Sequence, residues 1–349
     1  MAQFDKALTK NLIFEVTPDC THACLHCYNP WKSVPECYPH SLSPEQTLEL
    51  LHKILSETDA ELITLTGGEP LLRPDLLAII RVVRSRGIRI NLITNGYLLQ
   101  GNLLEDLIQQ DISLYELPLL SSQREIHDRL SQTPGAFDRV TEAIADLKLH
   151  EQRVVGVFVA TAHNLHTLAE TIELAVALGV DAFMFNRFNP GGAGWHHFAT
   201  LQAGLADLRS ALALANRLAS AYALPISCSI AMPPCLFETS EYPHLSFGFC
   251  GAGTSRAYFT FDAAGNLRPC NHSPRILGNL LEHSLAELVA SPSMSDFLQA
   301  APSLCRNCHY ERLCMGGCKA AAESCYRDVR LPDPFLERFK DQVRIPQSG

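Results

Sequence analysis

The sequence predicts an α/β protein in which six strand–helix units build a parallel sheet and a cysteine-rich extension follows. Three observations carry that prediction. From residue 12 to about residue 190, short apolar runs alternate with amphipathic helical patterns, the signature of parallel strands joined by right-handed crossovers. The runs are apolar almost throughout, as strands must be when helices cover one face and side chains fill the other. Beyond residue 190 the alternation stops, and glycines, prolines and cysteines take over.

The strands follow in order. The first lies in the 12–18 region, on Leu12, Ile13, Phe14 and Val16. LITLT (62–66), IRINLIT (88–94), ISLYELPLL (112–120), RVVGVFVAT (153–161) and DAFMFN (181–186) repeat its style, rich in β-branched and aromatic residues. Between the first two, Ser43 reads as an N-cap, Pro44 as the first helical residue and Gln46 as the other half of a capping box. Leu48, Leu51 and Leu55 then share a face. PDLLAIIRVVRSRG stops at Gly87, a residue suited to the left-handed cap. Phe137, Val140, Ile144 and Leu147 form another stripe, and Leu168, Ile172, Ala175 and Val176 one more, stopped by Gly179. Six units are too few to close an eight-fold barrel, so a partial (βα)6 barrel and an open doubly wound sheet both fit. In either, chemistry belongs at the carboxyl ends of the strands.

The glycine-rich NPGGAGW and a long Ala/Leu helix (about 203–221) come next. After Pro225 the chain is loop-rich, with one hairpin-like piece, AYFTFDAAGNLRPC. We therefore divide the chain into a barrel (12–190), a helical and loop bridge (191–235), a cysteine-rich domain (236–330) and a tail (331–349) that reads as a polar helix without chemistry.

Composition narrows the function. The chain has 349 residues, 47% hydrophobic and 19% charged, which is globular composition. A net charge of −9 argues against a nucleic-acid-binding surface. The N-terminus lacks a signal peptide's apolar region, and no stretch approaches the roughly 20 apolar residues that span a bilayer. The expectation is a cytoplasmic protein with neither membrane nor nucleic acid as partner. Thirteen cysteines are then anomalous, because a reducing compartment disfavours structural disulfides. Clustered cysteines there read first as metal or cluster ligands. Cys37 and Cys228 lie outside the clear spacings and read as small buried hydrophobes.

CTHACLHCY places Cys20, Cys24 and Cys27 just after the first strand. Incidental thiols, or a zinc site borrowing His22 or His26, would explain the spacing alone. The next strand ends in Gly67, Gly68, Glu69 and Pro70, where two glycines let backbone approach a ligand closely. The third ends in Thr94, Asn95 and Gly96. All three motifs sit at one end of the sheet.

Cys-x3-Cys-x2-Cys with a following aromatic, then GGEP after the second strand, resembles the radical S-adenosylmethionine superfamily. The resemblance implies a 4Fe–4S cluster on Cys20, Cys24 and Cys27, whose fourth iron is left open for S-adenosylmethionine. It implies that Gly67, Gly68 and Glu69, with Pro70 closing the motif, line the methionine amino group, and that Tyr28 lies near the adenine. Asn95 is a further candidate for the cofactor pocket. One departure follows the fourth strand: Ser131 stands where relatives often carry an arginine, leaving Arg129 or Arg187 to supply a cation to the cofactor carboxylate.

The second constellation runs Cys250, then Gly265-x4-Cys270, then Cys305-x2-Cys308-x5-Cys314-x3-Cys318, then Cys325. A zinc ribbon fits four thiols at such spacing. The whole pattern resembles the SPASM extension, which implies two auxiliary 4Fe–4S clusters. The implied ligation gives Cys305, Cys308, Cys314 and Cys325 to an outer cluster and Cys250, Cys270 and Cys318 to an inner one. Cys235 is then the nearby candidate for the inner cluster's fourth ligand, the alternative being an open iron that substrate binds. Cys325 stands closer to Cys318 than the family's last cysteine does, and Phe335 occupies the more usual distance. With these resemblances the fold class becomes a partial (βα)6 TIM-like barrel with a C-terminal cysteine-rich SPASM extension.

The resemblance implies cleavage of S-adenosylmethionine to a 5′-deoxyadenosyl radical that abstracts hydrogen from a substrate, driven by an external low-potential reductant such as flavodoxin or ferredoxin. A peptide or protein substrate is favoured, modified by a thioether or carbon–carbon link, oxidation or decarboxylation. A tetrapyrrole or small metabolite is the alternative. The sulfatase-maturing reading is lowered by Asn271, which stands where that group carries a basic aspartate. About ten residues precede the first strand, so the expectation is that either a separate leader-peptide-binding protein presents a peptide or the substrate is small. A third reading, clusters that only carry electrons, does not call for GGEP and TNG.

Overall fold

A computed structural model describes residues 9–29, 31 and 41–343, so the expectation for Cys37 lies outside the described residues. The six predicted strands form as β1 (Asn11–Glu15), β2 (Leu62–Thr66), β3 (Arg89–Ile93), β4 (Leu114–Pro118), β5 (Val154–Ala160) and β6 (Ala182–Arg187). They lie side by side in chain order, each parallel to the next. A doubly wound sheet needs its order to reverse once, so sequential order decides for the partial barrel. Helices α1 (Pro44–Glu57), α2 (Leu76–Ser85), α3 (Gly101–Ile108), α4 (Arg124–Ser131), α5 (Ala136–Leu149) and α6 (Leu168–Ala177) fill the crossovers.

The local chemistry acts as read. Ser43 accepts from the Gln46 backbone and Gln46 returns the bond, closing the capping box of α1. Leu50, Leu51, Ile54 and Leu55 form its buried face, while Leu48 is only partly covered. Each such leucine or isoleucine contributes roughly 1.5–3 kcal/mol on burial. Gly87 stops α2 at φ +72°.

Past β6 the chain makes α7 (Gly192–His196), α8 (Phe198–Leu201) and α9 (Leu205–Ala221), then β7 (Ile226–Cys228) and β8 (Leu245–Phe247), which extend the sheet beyond β6. The hairpin β9 (Phe259–Asp262) and β10 (Asn266–Arg268) returns to the opposite edge, followed by β11 (Gly278–Asn279). β9 pairs parallel with β1, from Leu12 opposite Phe259 to Glu15 opposite Asp262. Phe14 stacks on Phe261 with ring centroids 4.4 Å apart. Glu15 and Arg268 form an ion pair across the junction, with both side chains almost wholly buried. The cysteine-rich segment is thus continuous with the barrel sheet. It carries α10 (Leu285–Val289), α11 (Pro292–Gln299), α12 (Glu311–Cys314), α13 (Lys319–Tyr326) and α14 (Pro334–Arg338).

The tail corrects the sequence reading. Phe335 and Leu336 are fully buried, and Asp333 forms a fully buried ion pair with Arg187 at the end of β6. A segment that looked polar and idle closes the carboxyl end of the barrel, because its apolar residues face inward on a single helical turn.

Candidate active site

The loop Cys20–Tyr28 leaves the carboxyl end of β1 and is gripped on three sides. GGEP forms the first. The N–H of Gly68 donates to Thr17 O (2.8 Å), that of Glu69 to Asp19 O (2.7 Å), and Asn29 Nδ2 donates to Gly67 O (3.0 Å). A Cβ on Gly67 would lie 2.3 Å from Thr17 O, and one on Gly68 2.1 Å from Asp19 O. Both glycines therefore serve close backbone contact between the two loops, a need that the sequence reading assigned to ligand approach. The second grip is the end of α4, where Leu25 N–H donates to Leu130 O (2.9 Å) and Ala23 N–H to Ser131 O (3.3 Å). The third is NPGGAGW: Gly194 N–H donates to Cys27 O (2.8 Å), and a Cβ on Gly192 would sit 2.4 Å from Asn29 O.

Glu69 stands behind this wall. Its carboxylate accepts from Leu71 N–H (3.1 Å), Thr94 Oγ1 (2.7 Å) and Asn95 N–H (2.7 Å). Burial raises its pKa to about 6, with those three donors pulling the other way. It clamps GGEP to the TNG turn, and neither it nor Pro70, which opens a 3-10 turn, lines the cavity. Asn95 does line it, donating from Nδ2 to Thr21 Oγ1 (2.8 Å) and toward Cys20 Sγ (3.9 Å). His22 N–H also points at Cys20 Sγ (3.4 Å). Two donors on one sulfur suit a cluster thiolate, whose charge they stabilise.

The cavity encloses about 290 Å³. Cys20, Cys24, Cys27, Gly67, Gly68 and Asn95 line it together with Glu116, Met184, Asn186, Ser229, Asn271 and His272. Tyr28 lines it too. Its ring stacks on His272 at 3.9 Å, and its hydroxyl accepts from Asn271 Nδ2 (2.9 Å). Burial, with Arg268 and Arg187 nearby, lowers the pKa of His272 to about 4, so the ring is neutral. Burial raises that of Glu116 to about 7. The sequence reading missed Glu116. Its signal was a carboxylate inside LYELP, alternating with buried Tyr115 and Leu117 and so aimed at the barrel interior.

The two arginine candidates part company. Arg129 is exposed on α4 and does not line the cavity. Arg187 lines it but is fully buried and committed: Nη2 to Asp333, Nε to Ala231 O (2.8 Å) and Nη1 to Phe188 O (3.3 Å). Ser131 is buried, its hydroxyl donating to His127 O (2.9 Å).

The C-terminal thiols gather in two groups. Cys270 faces Cys318 and Cys250, and Cys305 faces Cys314 and Cys308. Burial first, then the neighbouring sulfurs, push Cys270 and Cys305 up to about 12. Cys318 Sγ accepts from Asn189 Nδ2 (3.4 Å). Among the described residues no three His, Cys, Asp or Glu converge on a point where one metal ion would sit. Cys228 is buried, as expected of a small hydrophobe.

A family model described as the radical SAM superfamily matches residues 14–175, and one described as an iron-sulfur cluster-binding domain, SPASM, matches residues 250–309. This chain belongs to the radical S-adenosylmethionine superfamily. It is a radical S-adenosylmethionine enzyme whose cofactors are S-adenosylmethionine and 4Fe–4S clusters. It is 25% identical to an AdoMet-dependent heme synthase of Methanosarcina barkeri, over 93% of this chain and 95% of the relative. It is also 25% identical to a PqqA peptide cyclase of Ruegeria pomeroyi, over 96% and 88%. Streptococcus suis SuiB, solved with its precursor peptide SuiA, shares the fold with a TM-score of 0.74 and 15% identity, over 93% of this chain and 74% of that one. anSMEcpe with bound AdoMet shares it with a TM-score of 0.70 and 17% identity, over 95% and 94%. No helix among the described residues of this enzyme is long and apolar enough to cross a membrane.

Proposed function

We propose that this enzyme abstracts a hydrogen atom from a peptide or protein side chain held in the cavity, in a peptide-maturation reaction carried out in the cytoplasm. When bound on Cys20, Cys24 and Cys27, the cluster and S-adenosylmethionine supply the one-electron cleavage that generates the abstracting radical. The chain's own residues do the rest. Gly67 and Gly68 offer backbone beside the cysteine loop, Asn95 donates toward Cys20, and Tyr28 and His272 form a stacked wall of the cavity. Glu116 faces the same space and, with a pKa of about 7, accepts or donates a proton near neutral pH.

The observation that carries the peptide reading is the charge of the cavity. Among its described lining residues the arginine is Arg187, which Asp333 neutralises, while Glu116 has no ion-pair partner. A tetrapyrrole bearing several carboxylates would meet a buried carboxylate and no available guanidinium, an expensive arrangement. Relatives named for a peptide cyclase and a precursor-peptide complex support the same reading. The relative named for heme synthesis, matched along nearly its whole length, keeps the tetrapyrrole as the second reading.

The test is direct. The anaerobically reconstituted, reduced enzyme should convert S-adenosylmethionine to 5′-deoxyadenosine. Deuterated candidate peptides should then pass deuterium into that product. Transfer from a tetrapyrrole propionate, with none from any peptide, would overturn the peptide reading while leaving the enzyme class intact.

A further inference from the structure

We infer that Cys235 and Cys325 exchange the places expected of them from the sequence: Cys235 completes the group of Cys305, Cys308 and Cys314, and Cys325 completes the group of Cys250, Cys270 and Cys318. The inference rests on the iron–sulfur reading of the C-terminal segment.

Cys235 packs against the main core, which contains Cys305, and Cys250 packs in a smaller cluster with Phe297, Ala300 and Val329. The loop that carries Cys235 is tied on both sides. Ala231 O accepts from Arg187, and Phe237 stacks on Phe335 at 5.8 Å. The segment before α14 seats on the Gly316–Cys318 turn, where Asp333 N–H donates to Gly316 O (3.2 Å) and Asp333 Oδ2 accepts from Cys318 N–H (2.9 Å). The Cys235 loop is thereby held against the knot that contains Cys305 and Cys314. After burial, the groups that raise the pKa of the Cys235 thiol are Cys314, Cys305 and Cys308.

Cys325 stands seven residues after Cys318 on α13, which places both on one face of the helix. The last turns of α13 dock on the loop after Cys270. Glu323 accepts from Ser273 Oγ (3.2 Å) and Arg275 Nε (2.7 Å), and Ser324 Oγ donates to His272 O (3.4 Å). Four residues after Cys325, Val329 joins the cluster that contains Cys250. The sulfur neighbour of Cys325 is Cys318. The short distance from Cys318 that sets Cys325 apart in sequence is what a ligand of the inner group needs. With this exchange both auxiliary clusters have four thiolates, and the iron left open lies at Cys20, Cys24 and Cys27.

The experiment uses the full chain with Cys20, Cys24 and Cys27 changed to Ala, reconstituted anaerobically. This parent should hold roughly eight irons with matching sulfide. Iron near zero would sink the iron–sulfur reading itself, before the exchange is at issue. Two backgrounds each keep one cluster: Cys305→Ala/Cys308→Ala keeps the inner, Cys250→Ala/Cys270→Ala the outer. In the inner-only protein, Cys325→Ala should change the reduced EPR spectrum or lower iron at least twofold, and Cys235→Ala should do neither. In the outer-only protein the pattern should reverse. The opposite pattern, or two clusters indifferent to both substitutions, overturns the inference. A second measurement leaves both cysteines in place, so misfolding of a substituted chain does not blur the answer. Iodoacetamide labelling read by mass spectrometry should find Cys325 protected and Cys235 labelled in the inner-only protein, and the reverse in the outer-only protein. Protection of Cys235 in the inner-only protein refutes the exchange.

Discussion

Asp333→Ala tests whether the tail is part of the working structure. Asp333 and Arg187 have fully buried side chains, and the same carboxylate accepts from the N–H groups of Cys318 (2.9 Å) and Phe335 (2.9 Å). Removing it strands a buried guanidinium, which costs about 3–5 kcal/mol. It also removes the N-cap of α14, worth about 1 kcal/mol, and leaves Cys318 N–H unpaired. These losses share one network and do not simply add, so we expect about 4 kcal/mol in total. Anaerobic urea denaturation of the cluster-loaded protein, followed by far-UV circular dichroism, measures it. Asp333→Asn keeps an acceptor without the charge and should cost less. Arg187→Met with Asp333→Leu should recover at least half of the loss, because no charge is then left unpaired. A cost below about 1 kcal/mol for Asp333→Ala, or a double variant no better than the single one, would refute the reasoning.

Other outcomes follow from the same geometry. Gly68→Ala forces a Cβ against Asp19 O and should weaken S-adenosylmethionine binding at least tenfold by equilibrium dialysis, with the auxiliary-cluster EPR signals retained. Glu116 has its folded pKa at about 7, above the ordinary 4.5, so the stability it contributes is full below pH 4.5 and fades as pH rises through 7. The melting temperature of Glu116→Gln, taken relative to the unsubstituted protein, should therefore rise across that window; a flat difference would exclude the buried neutral carboxyl. Arg129→Ala should change stability by less than about 0.5 kcal/mol and leave S-adenosylmethionine affinity unchanged, since the side chain is exposed. Lys319 is buried beside Cys250, with Nζ donating to Phe297 O (3.0 Å) and Leu298 O (2.8 Å). Lys319→Met removes a cation that favours the reduced cluster, and should lower the inner potential by on the order of 50–100 mV in an EPR titration.

Much of this was legible in the chain because it depends on neighbours in sequence. Ser43 and Gln46, three residues apart, cap their helix, and Gly87 ends another at its own φ. The cysteine, GGEP and TNG motifs each follow a strand, and parallel strands in chain order bring their ends to one rim without further information. The roles within that rim were less legible. Glu69 was read as a ligand-facing carboxylate, yet it is spent on Leu71, Thr94 and Asn95, and which acceptor a buried N–H finds depends on how two loops meet. Arg129 and Arg187 looked alike in sequence and differ completely in burial.

The sequence by itself determined the six strand–helix units and the cysteines clustered after the first strand, because periodicity and spacing are local properties of the chain, while the barrel and the radical chemistry were implied by the resemblance its motifs carry. Only the tertiary structure decided that β9 lies against β1, that Asn271 and His272 thereby reach Tyr28, and that Asp333 answers Arg187 from 146 residues away. Partners of that kind are chosen by packing. A buried charge or thiol takes whichever distant neighbour the closed core brings within reach, and no spacing rule records that choice.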